Sequence, residues 1–315
     1  MPTNKENDPM ILVTGGLGMI GAHTARALVD LGHDVVVTAH RQTAVPSFLA
    51  GRVDVEPLDV ADRDAFLALA GRHDISDIVH LAGTIPDDDP VRFFRADTTG
   101  LLNALDAART WGVRRFAVAS SLGVYIGRPE TPWHEDLELP TAALPHLILA
   151  FKKAVEPLTT HSLQGSGVEP VVLRIGSTWG PLMDPESPFN YIPPYISAVL
   201  RGEQPRPLYA DDGGDFCYAP DAGRAVALLM TAETLRHDTY NVSSGQPFTN
   251  RMLADAVRTV ATGPQLDLLP GRQAGPGDNS YLDITRLTND TGFAPTFDVA
   301  TAVAAYVAWR SANPR

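Results

Sequence analysis

The feature that most constrains the chain is the run Thr14-Gly15-Gly16-Leu17-Gly18-Met19-Ile20-Gly21, set between an apolar segment at 10–14 and an amphipathic segment at 20–31. Glycines at this spacing have mechanical reasons. Gly15 permits a tight turn, Gly18 lets backbone approach a pyrophosphate, and Gly21 lets the helix pack closely on the strand. The helix N-terminus then faces the phosphates with its free N–H groups and the positive end of its dipole. The motif predicts a dinucleotide site carried by Gly15, Gly16, Leu17, Gly18, Met19, Ile20 and Gly21. The alternative, a merely flexible turn, leaves the flanking strand and helix without a reason.

Further along, short β-branched apolar runs at 34–38, 52–56, 77–81, 115–120 and 169–175 alternate with helical patterns at 62–70, 91–111 and 142–163. Such alternation predicts an α/β fold: a Rossmann-type, doubly wound parallel sheet with helices on both faces, binding its ligand beyond the carboxyl ends of the strands. After Ile175 the texture becomes rich in proline and glycine up to Gly214, which predicts a smaller, mixed substrate lobe. A helix at 219–233 and a strand at 239–243 return to the sheet, and helices at 249–261 and 299–310 close the chain. The expected division is a tail at 1–9, a dinucleotide-binding domain of 10–175 plus about 215–245, and a substrate-binding lobe of about 176–214 plus 246–315.

Charge narrows the function. With 25 Lys+Arg against 37 Asp+Glu, the formal charge is −12, so no nucleic acid or anionic membrane is expected as the main partner. The single cysteine, Cys217, excludes an internal disulfide and suits a reducing cytoplasm. No stretch of about 18 apolar residues predicts a membrane span, and no His, Cys and carboxylate cluster has metal-ligand spacing, so no metal is expected.

The cofactor is read at the end of the second strand, where an NAD site presents a carboxylate to the ribose 2′-hydroxyl. Here the chain runs Val37-Thr38-Ala39-His40-Arg41. His40 and Arg41 offer donors and positive charge to a 2′-phosphate, which favours NADP(H) over NAD(H); the alternative makes Arg41 an ordinary solvated side chain. Asp59, after the third strand, is a candidate for the adenine amino group or a plain turn carboxylate.

With these residues in view, the chain resembles the extended short-chain dehydrogenase/reductases, the family of nucleotide-sugar epimerases and dehydratases. The resemblance is carried by the glycine motif, by Asp77-Ile78-Val79-His80-Leu81-Ala82-Gly83, by Ser120-Ser121-Leu122-Gly123-Val124-Tyr125 and by Leu173-Arg174-Ile175 through Trp179-Gly180-Pro181. Asp215-Phe216-Cys217-Tyr218 and Tyr240-Asn241-Val242-Ser243 add to it. It implies cofactor contacts at Val60, Leu81, Ala82, Gly83, Ser120, Lys152 and Ile175. It also implies a carbonyl-polarising hydroxyl on Ser121 and hydride transfer as the first step.

The departures from the family shape the functional expectation. The family places a Tyr four residues before its Lys, so that ammonium and phenol share a helix face; here Lys152 is preceded at that spacing by Ile148, and no tyrosine lies between Tyr125 and Tyr191. His146 and Tyr125 are the candidate replacements, and a substrate hydroxyl or water is a third source of the proton. Asp97 stands where Asn is common. Asp211-Asp212-Gly213-Gly214 precedes Asp215 where nucleotide-sugar enzymes often carry an Arg for a diphosphate. The lobe is aromatic, with Trp179, Phe189 and Tyr191 among the candidates for stacking on a substrate or for filling a small core. Together these point to an NADPH-dependent ketoreductase for a large aromatic or polyketide-like ketone, similar to the tyrosine-lacking ketoreductases of antibiotic biosynthesis. Its substrate site would comprise Ser121, His146, Ile148, Trp179, Phe189 and Tyr191, and the protein would be a monomer or homodimer. The alternatives are a nucleotide-sugar epimerase or dehydratase, and a non-catalytic NADP(H) sensor.

Overall fold

The computed structural model describes residues 9–86, 89–141, 146–273 and 280–313. Up to Ile175, strand and helix alternate: β1 (Met10–Thr14), α1 (Met19–Asp30), β2 (Val35–Ala39), β3 (Asp54–Pro57), α2 (Arg63–Leu67), β4 (Ile75–His80), α3 (Pro90–Trp111), β5 (Arg115–Ala119), α4 (Leu147–Leu163) and β6 (Glu169–Ile175). Then follow β7 (Ser177–Trp179), α5 (Ile192–Leu200), β8 (Leu208–Tyr209), β9 (Gly213–Tyr218), α6 (Ala219–Thr231), β10 (Thr239–Val242), β11 (Pro247–Thr249), α7 (Asn250–Val260), β12 (Leu268–Leu269), α8 (Thr285–Thr291) and α9 (Val299–Ala312).

Seven strands form one parallel sheet in the order β10-β6-β5-β4-β1-β2-β3. The inner strands read as largely apolar runs because both faces are covered; all five residues of β2, Val-Val-Val-Thr-Ala, are buried, whereas the edge strand β3, Asp-Val-Glu-Pro, is mostly exposed. One core joins the sheet to α1, α6 and α8 through residues such as Leu28, Val226 and Leu287. The other joins it to α2, α3 and α4 through Phe66, Leu101 and Val155. The order of crossovers reverses between β1 and β4, which opens a crevice at their carboxyl ends.

Local signals set the helix ends. Asp89 accepts from the N–H groups of Val91 and Arg92 with Pro90 beside it, and Gly112 closes α3 at φ 65°. The 62–70 helix of the sequence reading is cut to Arg63–Leu67 followed by a 3-10 turn at Ala68–Gly71. Residues 142–145 and most of the expected tail fall outside the described residues, and α4 begins at Leu147. Beyond the main sheet, β9 pairs with β11 antiparallel and with β7 parallel. This small sheet, α5, α7 and α9 enclose a third core around Trp179, Ile196, Leu253 and Tyr306. Among the described residues no helix is long and apolar enough to cross a membrane.

The sheet's first face depends on close approach of α1 and α6. A Cβ on Gly223 would lie 2.3 Å from the carbonyl carbon of His23, so backbone packs directly on backbone. Gly223→Ala is expected to destabilise the protein by about 1–3 kcal/mol, measured by urea unfolding; an unchanged midpoint would show that the helices separate freely.

Candidate active site

The glycine loop is built as its sequence requires. Gly15 sits at φ 66°, and a Cβ there would meet the Ala82 nitrogen at 2.9 Å, because the loops after β1 and β4 touch. A Cβ on Gly21 would lie 2.3 Å from the Gly15 oxygen, so α1 packs on the loop itself. Gly18 is exposed and caps α1 with no side chain, and no acidic residue occupies the first turn. The N–H groups of Met19 and Ile20 therefore face outward without intrahelical acceptors, a ready cradle for an anion.

That cradle opens into a cleft of about 380 Å³. Ten of the expected cofactor residues line it: Gly15, Leu17, Gly18, His40, Arg41, Asp59, Val60, Leu81, Ala82 and Gly83. Gly16, Met19, Ile20, Gly21, Ser120, Lys152 and Ile175 do not. Gly16 is wedged against Val37, and the Ser120 hydroxyl turns inward to donate to Glu156 Oε1 at 2.6 Å. The sequence reading missed Thr38, Gln42, Leu58, Thr84, Ala96 and Gly100 as wall residues. Ala96, Asp97 and Gly100 lie at helical spacing on α3, a signal visible once that helix is placed along the cleft.

His40 is the first residue past β2, and its Nε2 lies 3.8 Å from Asp59 Oδ2. Asp59 Oδ1 accepts from the Ala61 N–H at 2.9 Å, so this carboxylate holds a turn as well. Arg41 is exposed at the cleft and has no ion-pair partner among the described residues. The donors, the open glycine cradle and the cleft fit a dinucleotide.

At the inner end of the site, His80 is buried with Nδ1 2.9 Å from the Thr14 hydroxyl. Burial lowers its pKa to about 3, with the charge of Lys152 acting in the same direction. Lys152 Nζ donates to the carbonyl of Ala119, the last residue of β5, at 2.7 Å. Burial brings its ammonium down to about 8 against the opposing attraction of Asp97. Asp97 accepts from the Thr84 hydroxyl at 2.7 Å and from the Thr84 N–H at 3.1 Å. Its pKa is raised by burial, against those hydrogen bonds and the Lys152 charge. Ser121, two residues past β5, accepts from the Gly123 N–H at 3.1 Å, which leaves its own proton free to donate.

Other expected site residues are placed elsewhere. Tyr125 is fully buried; its hydroxyl donates to Asn241 Oδ1 at 2.9 Å and accepts from Arg174 at 2.7 Å, and burial raises its pKa to about 12. It is a structural phenol, not the acid proposed from sequence. His146 is exposed and caps α4 through its backbone only, and Ile148 packs against the second core. Trp179, 1% exposed, packs edge-on and tilted against Tyr306 and Tyr218 in the third core, so it is no substrate platform. Tyr191 donates to Asn250 Oδ1 at 2.6 Å from the same core, while Phe189 is exposed. The acidic run at 211–214 also gains a cation in space, since Arg251 reaches Asp211 at 3.2 Å. Among the described residues no three His, Cys, Asp or Glu side chains group as metal ligands.

A family model described as "NAD dependent epimerase/dehydratase family" matches residues 11–243. The chain belongs to that family. It is 30% identical over 95% of its length to a dTDP-glucose 4,6-dehydratase from Streptomyces griseus, covering 93% of that protein. It is 26% identical over 91% of its length to a UDP-glucose 4-epimerase from Lacticaseibacillus casei, covering 92% of it. Among solved structures, the UDP-glucose 4-epimerase of Thermus thermophilus complexed with NAD aligns at a TM-score of 0.75 and 27% identity, covering 95% of this chain and 98% of that one. The family is one of oxidoreductase-type enzymes using a nicotinamide cofactor. The expectation of a ketoreductase acting on an aromatic, polyketide-like ketone in antibiotic biosynthesis is overturned: the full-length relatives carry nucleotide-sugar activities, and Trp179 and Tyr191, read as stacking platforms, are built into a core.

Two outcomes follow from the buried groups. An unfolded imidazole titrates near 6.5 and His80 in the fold near 3, so its contribution is complete above pH 6.5 and is lost as pH falls from there toward 3. His80→Gln should reduce the acid-side slope of stability by about 1.4 kcal/mol per pH unit in that window, read by urea unfolding from pH 4 to 7. Glu156 is held by both Arg174 Nε at 3.0 Å and Arg174 Nη2 at 2.8 Å. Glu156→Ala leaves a buried guanidinium unpaired and is expected to cost about 3–5 kcal/mol; a loss below 1 kcal/mol, roughly the worth of an exposed pair, would contradict its burial.

Proposed function

We propose that the protein is a nucleotide-sugar epimerase that uses NADP(H) in preference to NAD(H). The observation that carries this reading is the pairing of an open dinucleotide cleft with full-length similarity to proteins named for nucleotide-sugar chemistry. The first-turn N–H groups of α1 would hold the pyrophosphate, and His40 and Arg41 the 2′-phosphate at the adenosine end. The nicotinamide supplies reversible hydride acceptance. Ser121 donates its free proton to the sugar oxygen as that oxygen becomes a carbonyl, which favours the oxidised state electrostatically. Lys152 would hold the adjoining ribose from its place at the end of β5. Arg251, beside Asp211, would be the candidate cation for a diphosphate at the second lobe.

Epimerisation is favoured over dehydration by the chemistry beside Ser121. Loss of water from a sugar needs a base for the carbon acid and an acid for the leaving hydroxyl. The 3-10 turn that follows, Leu122–Tyr125, carries no carboxylate, and its tyrosine is buried and saturated.

Two measurements test this reading. Fluorescence titration should give tighter binding of NADPH than of NADH, and Arg41→Ala should weaken NADPH about tenfold, roughly 1.4 kcal/mol, while leaving NADH unchanged. Incubation with UDP- and dTDP-hexoses, followed by NMR of the products, should show interconversion of epimers, and Ser121→Ala should lower kcat by about 10². No turnover of any nucleotide hexose with either cofactor would falsify the function, and a keto-deoxy product would reassign it to dehydration.

A further inference from the structure

We propose that Lys152, at the end of β5 and outside the lining of the cofactor cleft, is the proton-exchanging group of this site and that Asp97, in the cleft wall on α3, is its positioning residue. The inference deepens the epimerase reading and rests on it. It begins from a gap. One helical turn before Lys152 stands Ile148, packed against the second core, and the nearest preceding tyrosine, Tyr125, has its hydroxyl committed to Asn241 and Arg174. His146 is the exposed, extended N-cap of α4 and stands outside the helix that carries Ile148. Both side chains that sequence offered as the acid are thus out of place, and the site needs another group, from the protein or from the substrate and its water, that takes a proton from a hydroxyl and returns it.

Lys152 is placed for that task. Its hydrogen bond to Ala119 aims Nζ at the carboxyl end of β5, the strand end from which Ser121 emerges two residues later. An ammonium has three N–H donors, and the Ala119 carbonyl takes one. The groups facing it come from three elements. Asp97 on α3 is an opposing charge, and His80 at the end of β4 is held neutral by burial. On α4 itself, Glu156 is committed to Arg174 and Ser120. Asp97 is tied to both the N–H and the hydroxyl of Thr84, so its carboxylate cannot swing away. The resulting ammonium, brought near 8 by burial, has both protonation states available close to neutral pH, the condition for acid and base work by one group.

The step balances. In the oxidative half the substrate O–H bond breaks and its proton joins the lone pair of the neutral Lys152 amine. A bound oxidised nicotinamide would accept the carbinol hydrogen with its electron pair as a C=O bond forms, and would return it to the opposite face of that carbon in the reductive half, where the Lys152 ammonium gives its proton back to the oxygen.

The test separates this inference from the function it rests on. In protein labelled with 15N-lysine and free of cofactor, the Lys152 Nζ resonance, assigned by its loss in Lys152→Met, should titrate near pH 8 and at least half a unit lower in Asp97→Asn. Lys152→Arg keeps a charge but cannot shuttle a proton; at saturating cofactor it should lower kcat at least 10²-fold. In Asp97→Asn the pH midpoint of kcat should move down with the NMR value. A Lys152 that titrates above 10, an Arg variant that keeps its kcat, or one whose loss lies wholly in cofactor affinity would each overturn the proposal. Absence of turnover in the unmodified protein would instead count against the epimerase reading, and the NMR titration would still decide the charge relation of Lys152 and Asp97.

Discussion

The site depends on the buried pair of Arg174 and Glu156. Arg174 lies in β6 and Glu156 in α4, and the guanidinium makes two hydrogen bonds to the carboxylate while a third reaches Tyr125 and a fourth the Glu135 carbonyl. Two charges removed from water are costly unless their remaining donors and acceptors are satisfied; here the Ser120 hydroxyl also donates to Glu156 Oε1, the oxygen shared with Arg174 Nε. The pair fixes the height of α4 along the sheet. Lys152, one turn earlier on the helix, is thereby set against the end of β5. The same network secures β10 through Asn241, which bonds to Glu135, Trp133 and Asp283.

Much of the fold was legible because the parallel sheet writes itself into the chain as buried apolar runs. β2 opens with four β-branched residues in a row and β6 carries Val171-Val172-Leu173, α3 announces both its ends with Asp89-Pro90 and Gly112, and the glycine motif sits where strand gives way to helix. The small sheet was not legible. β7 and β11 are three residues each, too short for an alternation of inward and outward side chains to stand out. Their pairing with β9 is decided by contacts distant in sequence.

The cleft was legible where residues follow a strand directly, as His40, Arg41 and Asp59 do. It was illegible where a helix face supplies the wall, as with Ala96 and Gly100, because which face of α3 turns inward depends on its packing against β4. Aromatic residues misled for a related reason. Trp179 has the character of a ligand platform, but the small lobe builds its core out of aromatic rings, Tyr218, Phe248 and Tyr306 among them, and Trp179 is spent in that core. Asp97 was noticed as unusual without its partner; only the fold brings it within the influence of Lys152, which lies 55 residues further along the chain.

The joint between the two sheets also governs how the protein encloses a ligand. A single residue, Gly176, separates β6 from β7, and the space its Cβ would take is filled by Asp215 Oδ1 at 2.1 Å. β9 passes into α6 with no residue between them. Asp215 itself binds Ser243 past the end of β10 and the Leu282 N–H. Strands that continue from one sheet to the other with no slack cannot act as a hinge, so the lobes behave as a welded frame. Capture of a substrate must then come from segments hung on that frame, such as the turn bearing Phe189, and the distance from cradle to second lobe acts as a fixed ruler for the length of molecule that fits.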